Sequence, residues 1–405
     1  MRRQWEVNEA TSLSLQGLCA MLASSVLWAC QDRSDAVWVL VPVTLWAVVA
    51  WRPASGRALG WTLLVALAFR GVFVGTPPLL SDDLYRYLWE GRMLAAGLNP
   101  FVMAPSTVVG LDDGLRALVN HPNLTSIYPP VALFWFRLLD LLGGGSGVAQ
   151  GATALADLVT VWLLHRFVGR AAAMTWATNP LVVLEAAHGA HIDFVALPFA
   201  VAAVATARPA LAVWAAGIKV FPLLLLGRLI RRGGWETGAA LVVLFLLATP
   251  VWGAGLGLFA TATTFATTWS FNGFLWPWMA PALGEAVSRL LLGALGLAAV
   301  VVATVRASNG WTAWRWIGIA FLATSPTVHP WYAVWALLPS VVLGHNDLSR
   351  AALPLLWSYA VLIGLDAGTG AWSEPPWLWW VVWVPAGSAM LWGPVTRWRS
   401  RWRPE

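Results

Sequence analysis

Residues 81–92 read Ser-Asp-Asp-Leu-Tyr-Arg-Tyr-Leu-Trp-Glu-Gly-Arg, placing three carboxylates and two guanidinium groups directly after an apolar run. Acidic side chains at the end of a membrane span cost free energy and mark functional positions. A carboxylate held between water and lipid can act as a general base, taking a proton from a hydroxyl brought to that depth. Asp83 or Asp82 is the candidate for that task. A second reading stays open. Acids in the first turn of a helix complement its dipole, and Asp82–Arg86 and Arg86–Glu90 are ordinary i,i+4 pairs.

The element that would position these groups is a short helix over 82–96, with Ser81 as its N-cap and Gly97 followed by Asn99-Pro100 as its stop. Leu84, Leu88, Trp89 and Met93 form an apolar stripe, while Asp83, Arg86, Tyr87 and Glu90 fall on the other side. That pattern predicts an amphipathic helix lying in the membrane interface.

The rest of the chain sets that helix in lipid. Of 405 residues, 59% are hydrophobic and 11% charged, with 30 tryptophans. Mean hydropathy is +0.68. Soluble domains carry about 25% charged residues, so the composition is that of a polytopic membrane protein. The net charge of +6 does not point to nucleic acid, because the basic residues are spread over short loops and a tail, Arg397 to Arg403. Such clusters mark the cytoplasmic side and attract anionic lipid. Cys19 and Cys30 suit neither a disulfide framework nor a metal site, and the N-terminus does not read as a cleaved leader.

Spans begin near Leu13, Val37 and Ala58. Arg2, Arg3, Arg52 and Arg57 put the intervening ends inside, so the third span exits near Pro77 on the far side. A loop over 77–127 then carries the acidic segment outside the cytoplasm. Arg228, Arg231, Arg232, Arg306, Arg350 and the 396–405 tail mark later cytoplasmic positions. The regions 257–283, around His329, and Asp366 to Glu374 fall outside. Alternation over 129–228 places Arg166 and Arg170 outside, against the same rule. The expectation is an all-α integral membrane protein, one domain over 1–405, with about twelve spans and both termini cytoplasmic.

Other polar residues stand within apolar runs. Lys219 either faces a polar cavity or snorkels. Glu185, His188, His191 and Asp193 would suggest a metal in a soluble protein, but 185, 188 and 191 are spaced i, i+3, i+6 and only neighbouring pairs share a helix face. The span count puts this group inside, away from Asp83, where a structural polar network is the expectation. Arg137 and Asp140 can pair with each other. His329-Pro330-Trp331-Tyr332 reads as an aromatic anchor or as an anion contact, and Trp269 to Trp278 as belt residues or a cover.

Asp82-Asp83-Leu-Tyr-Arg-Tyr-Leu-Trp-Glu-Gly-Arg92, Gly97-Leu-Asn-Pro-Phe101, and His121-Pro122 with Ile-Tyr128-Pro-Pro130 resemble the polytopic GT-C glycosyltransferases. Within that group the chain is most similar to bacterial mannosyltransferases that use polyprenyl-phosphate sugars. The match is dense over 81–130 and sparser elsewhere, with echoes at Gly189-Ala190-His191-Ile192-Asp193, Lys219-Val-Phe-Pro222, Phe271-Asn272-Gly273 and His329 to Tyr332. The family commonly has Asp at the place of Glu90, Tyr at that of Phe101, and Gly-His-Asn-Asp at 189–193.

The resemblance implies an active site on the extracytoplasmic face of the inner or plasma membrane, with a catalytic Asp in the first large outer loop. It further implies a polyprenyl-phosphate sugar donor, a glycolipid or glycan acceptor, and inversion at the anomeric carbon. Carried onto this chain, the base is Asp83, with Asp82 second. Contacts to the donor phosphate or substrate fall to His329, Arg92 and Lys219, and beside them to Arg86, Glu90 and Tyr128. No cofactor is expected; a divalent cation is compatible but not required. A lipid-linked sugar transporter or flippase would instead carry its charges near the midplane between repeats, and no repeat is visible. A non-catalytic membrane assembly protein would use 81–97 only as a capped helix.

Overall fold

The computed structural model describes residues 2–49, 58–111, 114–230, 233–345, 353–366 and 372–400. Arg52, Arg57, Arg231, Arg232, Arg350 and the tail residues Arg401 and Arg403 lie outside the described residues. Regular structure among the described residues is helical, joined by two isolated bridges from Phe271 and Asn272 to Thr327. A chain this apolar has few polar partners to offer its backbone, and helices satisfy their own N–H and C=O groups.

Three helices, Ala10–Ala29, Ser146–Phe167 and Glu285–Arg306, are long and apolar enough to cross a membrane. A fourth span is possible if Gly234–Leu247 and Thr249–Thr268, bent by 96°, count as one. Glu285–Arg306 has 22 residues, about 33 Å of helix against a hydrocarbon layer of about 30 Å. Its Leu290 and Leu297 are 74% and 64% exposed, as lipid-facing side chains are. The expected count of about twelve is not reached by single long helices. Other apolar runs are distributed over helices of 10–17 residues, such as Asp193–Thr206 and Pro209–Ile218, with Pro198 inside the first and Pro209 opening the second.

The chain divides into two compact units. The first comprises residues 1–72, 164–183 and 270–405. Within it, fully buried Arg70 donates to the carbonyls of Ala66 and Ala177, each at 3.0 Å. A Cβ on Gly318 would come within 2.5 Å of the Trp335 carbonyl oxygen, so Gly310–Thr324 and Val334–Val342 touch at backbone distance.

The second unit comprises residues 73–163 and 184–269. Here Asp83–Ala95 packs on Pro130–Leu141 so closely that a Cβ on Gly91 would lie 2.1 Å from the Phe136 carbonyl oxygen. The helix starts one residue later than expected, with Asp82 at the N-cap position, and Ser81 Oγ accepts from the Asp83 N–H at 3.4 Å. It stops as expected: Gly97 adopts φ +73°, Gly97 N–H donates to Leu94 and Leu98 N–H to Met93.

Its polar face is not an open interfacial surface. Arg86, Tyr87 and Glu90 are buried along with Leu84, Leu88, Trp89 and Met93. The reason lies in Arg86, whose guanidinium donates to the carbonyls of Asn120, His121, Leu124 and Thr125. Those four bonds fold the loop back over the helix.

Candidate active site

The Asp83 side chain sits in the first turn of its helix, 21% exposed. Asn120 Nδ2 spans both acids, donating to Asp83 Oδ1 at 2.7 Å and to Asp82 Oδ1 at 3.1 Å. Asn120 is held there because its own carbonyl is bound by Arg86. Burial raises the Asp83 carboxyl to about 6, with the Asp82 charge adding to the rise and Lys219 and Asn120 opposing it. A carboxylate with that affinity for protons is ionised near neutrality yet basic enough to accept one. Nothing in the sequence reading pointed to Asn120; its position just before His121-Pro122 was the available signal.

The larger departure concerns residues 185–193. His191 Nδ1 lies 3.8 Å from Asp83 Oδ2, and His191 Nε2 lies 3.0 Å from Glu185 Oε2. Groups that close share one side of any membrane, so placing 185–193 inside and away from Asp83 was incorrect. The cause is local backbone. Leu184–His188 is a π-helical turn and Ala190 has φ +51°, so this stretch does not cross as a plain helical span. Asp193, fully buried, forms an ion pair with Lys219, its Oδ2 lying 2.9 Å from Nζ. Lys219 caps the end of Pro209–Ile218 and is 21% exposed.

His188 does belong to a structural polar network. Its Nδ1 is 2.9 Å from Thr76 Oγ1, and Gln150 Nε2 donates to the carbonyls of both Thr76 and His188. Among the described residues no three His, Cys, Asp or Glu side chains converge to hold a metal ion.

The remaining candidates divide. Arg86 pairs with Glu90 at 3.0 Å, and Glu90 accepts from Ser126 Oγ at 2.7 Å. Burial holds the Glu90 carboxyl above its ordinary range, with Arg86 and Ser126 opposing the rise. Tyr128 packs edge-on against Tyr87 and Phe136, which stack on each other at 4.7 Å. Arg92 lies 3.9 Å from Asp140, which also pairs with Arg137 at 2.7 Å, as the spacing suggested. Nine residues of helix place the Arg92 backbone about 13 Å along the axis from Asp83.

His329 belongs to the first unit. Its ring stacks on Trp331 at 4.4 Å and packs against Phe271 at 5.1 Å. The segments 271–273 and 326–329 are joined there, with Phe271 N–H donating to Pro326 and Val328 N–H to Phe271. Glu374 accepts from the Asn272 N–H at 2.9 Å, and Trp383 Nε1 donates to the Asn272 carbonyl at 3.0 Å. Two separate sequence echoes thus form one aromatic cluster.

No family model matches the chain, and no solved structure matches it. Curated relatives do. The chain is 24% identical to a probable alpha-(1->6)-mannopyranosyltransferase of Mycolicibacterium smegmatis, over 69% of this chain and 63% of the relative. It is 25% identical to an alpha-(1->6)-mannopyranosyltransferase of Mycobacterium tuberculosis, over 71% and 54%. With alpha-(1->6)-mannopyranosyltransferase B of Corynebacterium glutamicum the identity is 23%, over 73% and 62%. The chain thus spans between half and two thirds of the length of the curated relatives it matches. By sequence it is a relative of the alpha-(1->6)-mannopyranosyltransferases of mycobacteria and corynebacteria.

Proposed function

We propose that this chain is a membrane glycosyltransferase that moves mannose from a polyprenyl-phosphate donor to a hydroxyl of a lipid or glycan acceptor, with Asp83 as general base. The observation that carries the reading is Asp83 itself: a partly exposed carboxylate raised to about 6 and fixed by Asn120, in a chain whose relatives are named mannosyltransferases. The acceptor oxygen attacks the anomeric carbon as its proton passes to Asp83. The bond from that carbon to the phosphate oxygen breaks, and the lipid phosphate leaves as an anion that requires a cation or donors beside it. Lys219, linked to Asp193 and partly exposed, supplies that cation. Attack from the opposite face inverts the anomeric centre, so an alpha product of the kind in the relatives' names requires a beta-linked donor.

In this reading Arg86 and Glu90 hold the loop that presents Asn120, and Tyr128 braces the same helix. Arg92 lies beyond the reacting atoms. His329, with its aromatic neighbours, is the candidate binding cluster of its own unit. The scaffold comprises about twelve spans, with both termini cytoplasmic and Asp83 on the extracytoplasmic face. Transfer needs no metal, because the leaving lipid phosphate is met by protein cations.

The test uses purified protein in lipid vesicles, radiolabelled polyprenyl-phosphate mannose and a membrane extract as acceptor. Label should move to a new product in wild type, with or without EDTA, and not in Asp83→Asn. Transfer that survives Asp83→Asn removes Asp83 from the role, and no transfer from any polyprenyl-phosphate sugar removes the activity.

A further inference from the structure

Three unusual features of the backbone meet within seven residues. Leu184–His188 is a π-helical turn, Ala190 adopts φ +51°, and Gly189 has no room for a side chain. A Cβ on Gly189 would lie 2.6 Å from His191 Cδ2 and 2.7 Å from His191 Nε2. The fully buried imidazole is therefore folded back over the Gly189 backbone. Left-handed backbone at a residue with a Cβ costs about 1–2 kcal/mol, and such local strain persists where surrounding structure requires it. What these features achieve together is one placement: a ring with Nε2 against Glu185 and Nδ1 toward Asp83.

We propose that His191, oriented by Glu185, is a positioning residue for Asp83 that aims its carboxylate and receives the proton Asp83 takes from the acceptor. This deepens the reading of Asp83 as general base and rests on it. In the tautomer this step requires, the proton sits on Nε2, the nitrogen 3.0 Å from Glu185 Oε2, and Nδ1, 3.8 Å from Asp83 Oδ2, is left as the acceptor. The acceptor proton passes first to Asp83 and then to Nδ1. Asp83 returns to the carboxylate and His191 becomes an imidazolium between two carboxylates, which favour its charge. The separation of 3.8 Å is longer than a hydrogen bond, as catalytic contacts are before substrate tightens them. The other charged groups acting on Asp83 are Asp82, Asp193 and Lys219, with Asn120 as a neutral donor.

Two experiments on the protein test this. In the transfer assay, His191→Gln should lower kcat about 100-fold, with the donor KM within about two-fold. Its acid limb should shift by about half a pH unit, because a coupled pair loses one member. Glu185→Gln should move both in the same direction by less, and Gly189→Ala, which keeps every ionisable group, should move kcat too. Folding is checked by thermal unfolding of each variant. A folded His191→Gln with wild-type kcat and pH profile, beside an inactive Asp83→Asn, overturns the proposal and leaves the base intact. Absence of transfer in wild type sinks the activity instead.

The second experiment needs no turnover. In ¹⁵N-histidine spectra of this chain with its six histidines, the resonance lost in His191→Gln should titrate differently in wild type and Asp83→Asn. Identical titration in the two overturns the coupling.

Discussion

Ala190 and Asn272 stand in the left-handed region at φ +51° and +49°, and each has a crowded glycine beside it. Gly189 is overlain by the His191 ring; a Cβ on Gly273 would meet Trp276 Cβ at 2.7 Å and the Pro326 carbonyl oxygen at 2.8 Å. The two regions, one in each unit, use the same backbone device. What they aim with it differs. Around Ala190 the device orders ionisable groups, Asp83, Glu185, His191, Asp193 and Lys219. Around Asn272 it orders ring faces, Phe271, His329 and Trp331, with Glu374 as the adjoining carboxylate. Ionisable groups move protons, whereas ring faces offer shape and polarisable surface. Under the proposed function, chemistry falls to the first region and binding to the second.

The sharpest way to break that division is at Asp83. Asp83→Asn should reduce transfer by about 10³-fold, within the 10²–10⁴ range of general-base loss, with little change in unfolding temperature. The sign of the pH dependence follows from its raised carboxyl: the base works as carboxylate, so transfer falls on the acid side of about 6, tenfold per unit, and levels off above it. Substitutions of His329 should leave that acid limb unmoved. A pH limb that follows His329 and ignores Asp83 would reverse the assignment of the two regions.

The next effect is on stability and is confined to the first region. Arg86→Met removes the partner of buried Glu90 and the donor to four loop carbonyls. Leaving one member of a buried ion pair unmatched costs about 3–5 kcal/mol, so thermal unfolding should show a large drop. Activity should fall as well, because Asn120 loses its anchor. A stable Arg86→Met with normal transfer would mean that the loop over 120–125 holds without it.

These residues also show what the sequence discloses and what it withholds. Gly97 as helix stop and the Arg86–Glu90 and Arg137–Asp140 pairs are local properties, legible from spacing of three and four, whereas the choice of Asp83 over Asp82 rests on the resemblance to the GT-C enzymes and stands as a proposal. The burial of the polar face of 83–95 was not, because amphipathicity does not tell water from a returning loop. The meeting of Asp83 with His191 was further out of reach. Counting spans by basic residues assumes that each apolar run crosses, and a π-helical turn followed by a left-handed alanine carries no Lys or Arg to reveal it. Phe271 to Gly273 and His329 were legible as separate echoes; their bridge through Thr327 is a tertiary fact.

In the second region Gly273→Ala is the counterpart of Arg86→Met. Its Cβ would meet backbone oxygens at 325 and 326 as well as Trp276 Cβ, none of them the far end of a flexible side chain. Overpacking of this kind costs about 1–3 kcal/mol. Unfolding temperature should fall, and donor KM should rise more than kcat falls if this cluster binds. A fall in kcat alone would place chemistry there.

Ala190→Gly gives the smallest expected effect on stability and the most pointed comparison. Glycine relieves about 1–2 kcal/mol of left-handed strain, but it loses about 0.5–1 kcal/mol in unfolded-chain entropy and about 0.8 kcal/mol for the buried methyl. Those contributions nearly cancel, so unfolding temperature should hardly move. Transfer should still weaken, by less than in His191→Gln, because the freed backbone no longer fixes the ring over Gly189. Asn272→Gly relieves no comparable strain, since asparagine tolerates this conformation. It loses the Nδ2 bond to Val328, so it should destabilise by about 1 kcal/mol while leaving the acid limb in place. If Ala190→Gly left kcat untouched while Asn272→Gly lowered it, the strained turn that matters for chemistry would be the one in the aromatic region.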